Sequence, residues 1–318
     1  MKLILLFAVL GLALLHLLTP IAPLSALRAD DPSLATLLVT QIRLPRTLLA
    51  AGYGAVLGMT GAALQALFAN PLSSPDVTGT SSGAALGGVF GGYWLSITSP
   101  LALAAFGAGG ALLSLGLLLL LTGRRGDVST MLLAGLAIAL AAGAGTSLLL
   151  ALAPSPFAFY DAFEWLMGSF VDRSLPQAAA ALIPAALACA ALSTRGRALD
   201  IMALGEDVAA SLGHRPCAVG IQVVVLSAIA IGACVSVCGA IGFVGLIAPF
   251  VARRLTGGHP GRALVPAALI GGILLLLADL LLRLAPPGRP IPVGVITTAL
   301  GTPLFVWIVV TMRRRLTP

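Results

Sequence analysis

Long apolar runs that recur along the whole chain constrain its fold more than any other feature. The run from Val128 to Leu152 contains no charged residue. An α-helix needs about 20 apolar residues to cross a bilayer, so runs of this kind predict membrane-spanning helices. About ten such segments are present: Leu3–Leu18, Thr47–Phe68, Gly79–Ile97, Leu101–Leu121, Val128–Leu152, Ala178–Leu192, Ala218–Val237, Ile241–Leu255, Leu264–Leu282 and Pro292–Val310.

The composition agrees with a membrane-embedded chain. Only 9% of the residues are charged, whereas soluble domains carry about 25%. We therefore predict an all-α, polytopic protein in which residues 1–318 form a single transmembrane domain. Glycine stripes within two spans predict close packing of helix backbones. They consist of Gly54, Gly58 and Gly61, and of Gly79, Gly83 and Gly87.

The basic residues predict an orientation in the membrane. The net charge of +7 comes from arginines in short loops, which favours contact with lipid headgroups over binding of nucleic acid. If the N-terminus is cytoplasmic, 12 of the 18 basic residues lie inside, and both termini do. The six arginines left outside exceed what the positive-inside rule favours, which suggests that they have a task. They are Arg28, Arg43, Arg46, Arg173, Arg283 and Arg289.

The first apolar run has two interpretations. Lys2, the run itself and the small residues near Ala26 resemble a secretory signal peptide. Because the rest of the chain is itself membrane-embedded, we favour an uncleaved first helix.

The sequence lacks the residues that common enzymatic sites require. Lys2 is the only lysine, so the chain has no P-loop lysine to reach nucleotide phosphates. No cluster of His, Cys and carboxylate residues has metal-ligand spacing, and no catalytic triad is recognisable. We predict no catalytic residue and no metal site. The four cysteines, Cys189, Cys217, Cys234 and Cys238, are interpreted as small buried apolar side chains.

Asp279 is the one acidic residue well inside a predicted span. An intramembrane carboxylate suggests a functional site, such as a proton relay. Arg283 lies one helical turn further on, where an i,i+4 ion pair would neutralise the carboxylate. We favour the ion pair and keep the relay as the alternative.

Five ordered segments resemble the FecCD family of ABC-importer permeases, and together they extend over nearly the whole chain. The first is Arg43-Leu44-Pro45-Arg46, and the second is GAALQALFANPLSSPDVTGTSSGAALG, residues 61–87. The others are LDIMALGEDVAASLG from Leu199, GAIGFVGLIAPFVARR from Gly239, and LLLADLLLR with PVGVITTALGTPLFVW between Leu275 and Trp307. One departure is Pro249-Phe250, because relatives commonly have Pro-His there.

The resemblance implies a type II ABC importer permease in the bacterial inner membrane, with about ten transmembrane helices. It implies a homodimer, or a heterodimer with a related permease. Two ABC ATPase subunits would bind ATP and Mg, since this chain carries no cofactor, and a periplasmic binding protein would deliver the cargo. Ferric siderophore is the first choice of cargo, followed by cobalamin and haem. The alternative is a secondary transporter driven by an ion gradient, which would need more intramembrane polar groups.

The resemblance also assigns three sets of site residues. Docking of the binding protein falls to Arg43, Arg46 and Arg283, with snorkelling to headgroups as the alternative for the first two. A cytoplasmic gate falls to Asn70, Leu72 and Ser129. Coupling to the ATPase, or else a solvated loop helix, falls to Asp200, Leu204, Gly205, Glu206, Asp207, Leu212 and Gly213.

Overall fold

Helices form along the apolar runs of the sequence, and several of them begin at proline or after a capping residue. The computed structural model describes residues 1–97, 99–123, 128–213, 215–284 and 291–316, in which there is no β-strand. The apolar helices are α1 (Lys2–Leu18), α4 (Leu44–Leu67), α5 (Thr80–Val89), α6 (Pro100–Thr122), α7 (Val128–Ala151), α9 (Leu175–Ser193), α12 (Pro216–Cys238), α13 (Val244–Leu255), α14 (Pro260–Leu284) and α15 (Val293–Leu316). Shorter helices connect them: α2 (Ile21–Asp30), α3 (Pro32–Leu37), α8 (Pro156–Leu166), α10 (Gly196–Met202) and α11 (Glu206–Ser211).

Each of the ten apolar helices overlaps one of the ten predicted spans. Within the described ranges, six helical stretches are long and apolar enough to cross a membrane by themselves: Pro32–Leu67, Leu101–Thr122, Thr130–Ala151, Leu175–Ser193, Pro216–Cys238 and Pro260–Leu284. The first of them joins α3 to α4 through a π-helical segment, Leu38–Arg43. A second π-helical segment, Phe90–Trp94, prolongs α5, so the predicted span Gly79–Ile97 is helical but irregular.

Helix α4 lies at the centre of the fold, and its glycine stripe is the reason that neighbouring helices approach it so closely. A Cβ atom on Gly54 would collide with the backbone of Gly271 in α14, and one on Gly58 with the backbone of Ala267. On Gly61 it would collide with Gly245 in α13. The predicted role of this stripe is confirmed: it allows backbone-to-backbone packing where a side chain would hold the helices apart.

The outer helices of the bundle expose leucines where a soluble protein would expose charge. Leu113 and Leu120 in α6, Leu133 and Leu140 in α7, and Leu187 in α9 are all exposed. An apolar surface of this extent is unstable in water and is compatible with the hydrocarbon of a bilayer. The exposed leucines thus mark the lipid-facing or subunit-facing side of these helices.

The chain is unwound between α12 and α13. The prediction of a span over Ile241–Leu255 is corrected here: α13 begins only at Val244, and its 12 residues cover about 18 Å of an apolar layer about 30 Å thick. Other elements satisfy the unwound backbone. The Ser169 amide donates to the Cys238 carbonyl at 2.8 Å, and the Tyr53 hydroxyl donates to the Gly239 carbonyl at 3.1 Å. Irregular backbone at membrane depth is stable when it is buried in protein in this way.

Candidate partner-docking sites

Asp279 organises a cluster of charged side chains at one end of α1, α4 and α14. Its carboxylate is buried, with 1% of the side chain exposed. Arg46 of α4 donates two hydrogen bonds to it, from Nε to Oδ2 at 2.7 Å and from the terminal nitrogen Nη2 to Oδ1 at 2.9 Å. A bidentate guanidinium–carboxylate pair of this kind is strong and directional. The α4–α14 contact is therefore closed at this end by charge as well as by glycine packing.

His16 links α1 to the same carboxylate. Its Nε2 donates to Asp279 Oδ2 at 2.7 Å, and its Nδ1 lies 2.7 Å from Thr47 Oγ1. The imidazole is fully buried. The sequence does not predict this contact, because 263 residues separate the two partners. The position of His16 near the end of an apolar run was the only signal available.

Arg43 and Arg283 hold the carboxyl-terminal end of α1. Arg43 donates to the carbonyl of Leu18 at 2.8 Å, and Arg283 donates to the carbonyl of His16 at 2.7 Å. The last carbonyls of a helix have no partner within the helix, so the two guanidinium groups act as caps. The predicted pair between Arg283 and Asp279 is present as an ion pair at 3.4 Å, but Arg46 makes the shorter contacts.

The three arginines predicted to dock a binding protein thus lie together, but they differ in accessibility. Arg43 is 7% exposed and the side chain of Arg283 is also 7% exposed, whereas that of Arg46 is 20% exposed. The structure shows them bound to groups of their own chain. Their docking role stays a prediction, and Arg46 is the member that a partner would reach first.

At the opposite end of α4, the predicted gate residues form a tight turn. The Asn70 side-chain oxygen accepts from the Leu72 amide at 2.9 Å, and the Asn70 carbonyl accepts from the Ser73 amide at 3.1 Å. This Asx turn stops the helix and leaves Leu72 exposed. Ser129 lies in the first turn of α7, and its side chain is outside the described part of the structure. The gate assignment stays a prediction.

The predicted coupling segment folds as the two short helices α10 and α11. The Asp200 carboxylate accepts from the backbone amide of Gly261 at 2.8 Å, so it satisfies a free donor at the start of α14. Gly205 and Gly213, on either side of α11, have φ angles of +109° and +80°, which non-glycine residues rarely adopt. The segment is therefore a defined element that is attached directly to α14.

This segment also presents apolar side chains to the outside of the chain. Leu204, Val208 and Leu212 are exposed, by 65%, 43% and 59%, and Ala209 beneath them is fully buried. We call these three exposed residues the inner apolar patch. Asp207 is exposed beside it, and the side chain of Glu206 lies outside the described residues. Exposed apolar side chains on a short helix and on the two turns beside it are suited to a groove on a partner, as the coupling prediction requires.

Two further expectations can be compared with the geometry. Phe250, the departure from Pro-His, places its ring 4.5 Å from the guanidinium carbon of Arg254, a cation–π contact that a neutral imidazole would make less well.

Cys234 and Cys238 are fully buried, as expected, whereas Cys217 is exposed. In the part of the chain that is described, no three His, Cys, Asp or Glu residues are grouped as a metal site would require.

The helical bundle and its exposed leucines define an integral, multi-pass membrane protein. Comparison with known proteins identifies the class: residues 3–311 match the FecCD transport family, and the chain belongs to that family. The vitamin B12 import system permease protein BtuC of Citrobacter koseri is 37% identical over 282 residues, covering 87% of this chain and 84% of that protein. The protein of the same name from Vibrio cholerae is 38% identical over 290 residues, with 87% and 84% covered.

A solved structure supports the same architecture. The chain superposes with a TM-score of 0.87 and 28% identity on a structure described as an inward-facing conformation of a metal-chelate type ABC transporter. The alignment covers 97% of both chains. The predicted fold class, an all-α ABC importer permease, is confirmed by this likeness and by the family match.

Proposed function

We propose that the chain is the membrane-spanning subunit of an ATP-driven importer that moves a metal chelate into the cell. The family match over residues 3–311 carries this proposal. The fold supports it, because one end of the bundle clusters arginines and the other presents an apolar patch on a short helical segment. A permease that receives cargo from one partner and mechanical work from another needs two dissimilar ends of this kind.

The energy would come from two ATPase subunits that bind ATP and Mg. The absence of a P-loop lysine from the sequence favours this division of labour. The inner apolar patch would enter a groove of the ATPase, and Asp200 would pass the movement of α10 to α14 through its bond to Gly261. Both termini and this segment would then be cytoplasmic, as the distribution of arginines predicts.

A substrate-binding protein would dock at the arginine cluster. Arg46 would meet an acidic side chain of that protein through the guanidinium N–H groups that do not bind Asp279, because it is the most accessible of the three arginines. Arg43 and Arg283 would support it by holding the end of α1, and they would contribute their own charge to attraction at a distance. The assembly would contain two permease chains, either identical or related.

The cargo belongs to the metal-chelate class. The relatives described above are named for vitamin B12 import, which favours a cobalt corrinoid over the ferric siderophore that was the first choice from sequence; haem comes third. A pathway lined by small and apolar side chains would let any of these bulky ligands pass without tight binding. The binding protein, rather than this chain, would select among them.

Reconstitution into proteoliposomes tests the proposal. Vesicles that contain the chain and its ATPase subunits should take up radiolabelled cyanocobalamin when the binding protein is present. Uptake should require ATP on the side of the membrane where the ATPase subunits lie. Ferric siderophore uptake under the same conditions, with no cobalamin uptake, would restore the first choice of cargo. Uptake by the chain alone under a proton or sodium gradient would reject the ATP-driven importer and support the secondary transporter.

A further inference from the structure

Arg173 is one of the predicted outside arginines to which no docking task is assigned. It lies in the loop between α8 and α9, which is pinned to the bundle by the hydrogen bond from the Ser169 amide to the Cys238 carbonyl. Its Nε is buried and has no hydrogen-bond partner within the described residues. A buried charged donor without a partner in its own chain is unfavourable unless water or a ligand reaches it.

Arg173 borders a cavity of about 220 Å³ at the ends of α5, α9 and α12. Tyr93, Trp165, Gln177 and Ser236 also line this cavity. Its volume holds several water molecules or one small polar group. Polar groups from different helices converge on this cavity. Such convergence is typical of a ligand-binding site and is not expected of a packing defect.

The hydrogen bonds already made inside the cavity determine which ligand it can take. The Tyr93 hydroxyl donates to the carbonyl of Asp161 at 3.0 Å, and the Ser236 hydroxyl donates to the carbonyl of Ala233 at 2.9 Å. The Gln177 side-chain oxygen accepts from the Ser174 amide at 2.8 Å. The side-chain amide nitrogen of Gln177, the indole N–H of Trp165 and the guanidinium of Arg173 make no hydrogen bond among the described residues, and such donors favour an acceptor ligand.

The charges around the cavity are compatible with an anion. Among the described residues, no carboxylate oxygen forms an ion pair with Arg173 within 4 Å. Asp161 and Glu164 lie close enough to act electrostatically on Tyr93 in the cavity wall, but both of them, like Asp172, are exposed to solvent. The guanidinium charge therefore acts on the cavity without a counter-charge at contact distance.

We propose that this cavity is an oxyanion site, in which Arg173 and the Gln177 amide bind one carboxylate or phosphate group. The planar fork of arginine matches two oxygens of such a group, and Gln177 supplies a third donor. The site would open to the outer face in the proposed orientation, and it does not depend on which cargo is transported. Its occupant would be either a dissolved anion or the phosphate of a lipid headgroup.

Tryptophan fluorescence tests the proposal, because Trp165 is in the cavity wall. The full-length chain in maltoside detergent is titrated with acetate and, separately, with inorganic phosphate, with chloride keeping the ionic strength constant. Saturable quenching is expected for the wild type and for Arg28→Gln, which removes another exposed arginine of the predicted outer side. Trp165→Phe should abolish the signal.

Arg173→Gln is expected to weaken the apparent affinity by about tenfold or more, because a charge-assisted hydrogen bond is lost. Unchanged affinity in this variant, or a response in the wild type that never saturates, would overturn the site. If Arg173→Gln does not elute as a folded species, Arg173→Lys decides: weaker binding supports the site, and wild-type affinity rejects it. Repeating the titration in phosphatidylglycerol nanodiscs identifies the occupant: binding retained indicates a dissolved anion, and binding lost indicates lipid phosphate.

Discussion

The two ends of the helical bundle solve the problem of polar groups in a membrane protein in different ways. At the arginine cluster, Asp279, His16 and the last carbonyls of α1 pair with charged side chains of the same chain. At the other end, the three side chains of the inner apolar patch are exposed in the described part of the chain, and their segment is attached through Asp200. At the first end most charged groups pair within the chain, whereas the second end has the character of one side of an interface. This difference indicates where the protein is held rigid and where it receives force.

Removal of the Asp279 carboxylate should disrupt the arginine cluster and have the largest effect on stability. Asp279→Ala leaves Arg46 and Arg283 without their shared counter-charge in a buried site. Breaking a buried ion pair from one side costs about 3–5 kcal/mol. We expect a marked fall in the thermal unfolding temperature in detergent. Asp161→Ala, which removes an exposed acid, should change it little, and equal temperatures for the two variants would contradict the description of the cluster.

Gly58→Ala tests whether backbone packing, as well as charge, holds α4 against α14. The added Cβ meets the Ala267 backbone, which cannot rotate away as a side chain can. Overpacking of this kind costs about 1–3 kcal/mol. The matched control is Gly109→Ala in α6, where a Cβ has open space around it. Detergent melting curves should shift for the first variant only, and a similar shift in both would mean that the glycine stripe has no special role.

A prediction from sequence succeeded where the interacting residues are close in the chain. Apolar runs located the helices, glycine spacing located the α4 stripe, and the i,i+4 spacing identified the Asp279–Arg283 pair. It failed where partners are remote, because the contact of His16 with Asp279 depends on how α1 docks. The late start of α13 also escaped detection, since the unwound backbone before it is stabilised by Tyr53 and Ser169, which come from distant elements.

The attachment of the inner segment can be weakened without unfolding the bundle. Asp200→Ala removes the acceptor for the Gly261 amide, and loss of such a capping bond costs about 1 kcal/mol. We expect amides of α10 and the first turn of α14 to exchange faster with deuterium, while those of α4 do not change. Asp200→Asn keeps an acceptor oxygen, so its exchange rates should lie between those of the wild type and those of Asp200→Ala. Exchange rates that remain at the wild-type value in the alanine variant would show that this bond does not hold the segment.

Leu204→Ser should have the smallest effect on stability, within about 0.5 kcal/mol, because the side chain is exposed in the isolated chain. Its effect on partner binding should nevertheless be about fivefold or larger, as expected for an apolar residue buried in an interface. Leu34→Ser, an equally simple change at the arginine end, is the control. Capture of the ATPase subunit by each purified variant measures the difference, and equal capture would remove the inner apolar patch from the coupling site.

The most direct test of the contrast between the ends is hydrogen–deuterium exchange of the wild-type chain with and without its ATPase subunits. If the inner segment is the chain's side of the interface with the ATPase, backbone amides from Leu204 to Gly213 become strongly protected when the subunits bind. Amides around Arg43 and Asp279 should keep their exchange rates. Protection that appears only at the arginine cluster, or at neither end, would contradict the account.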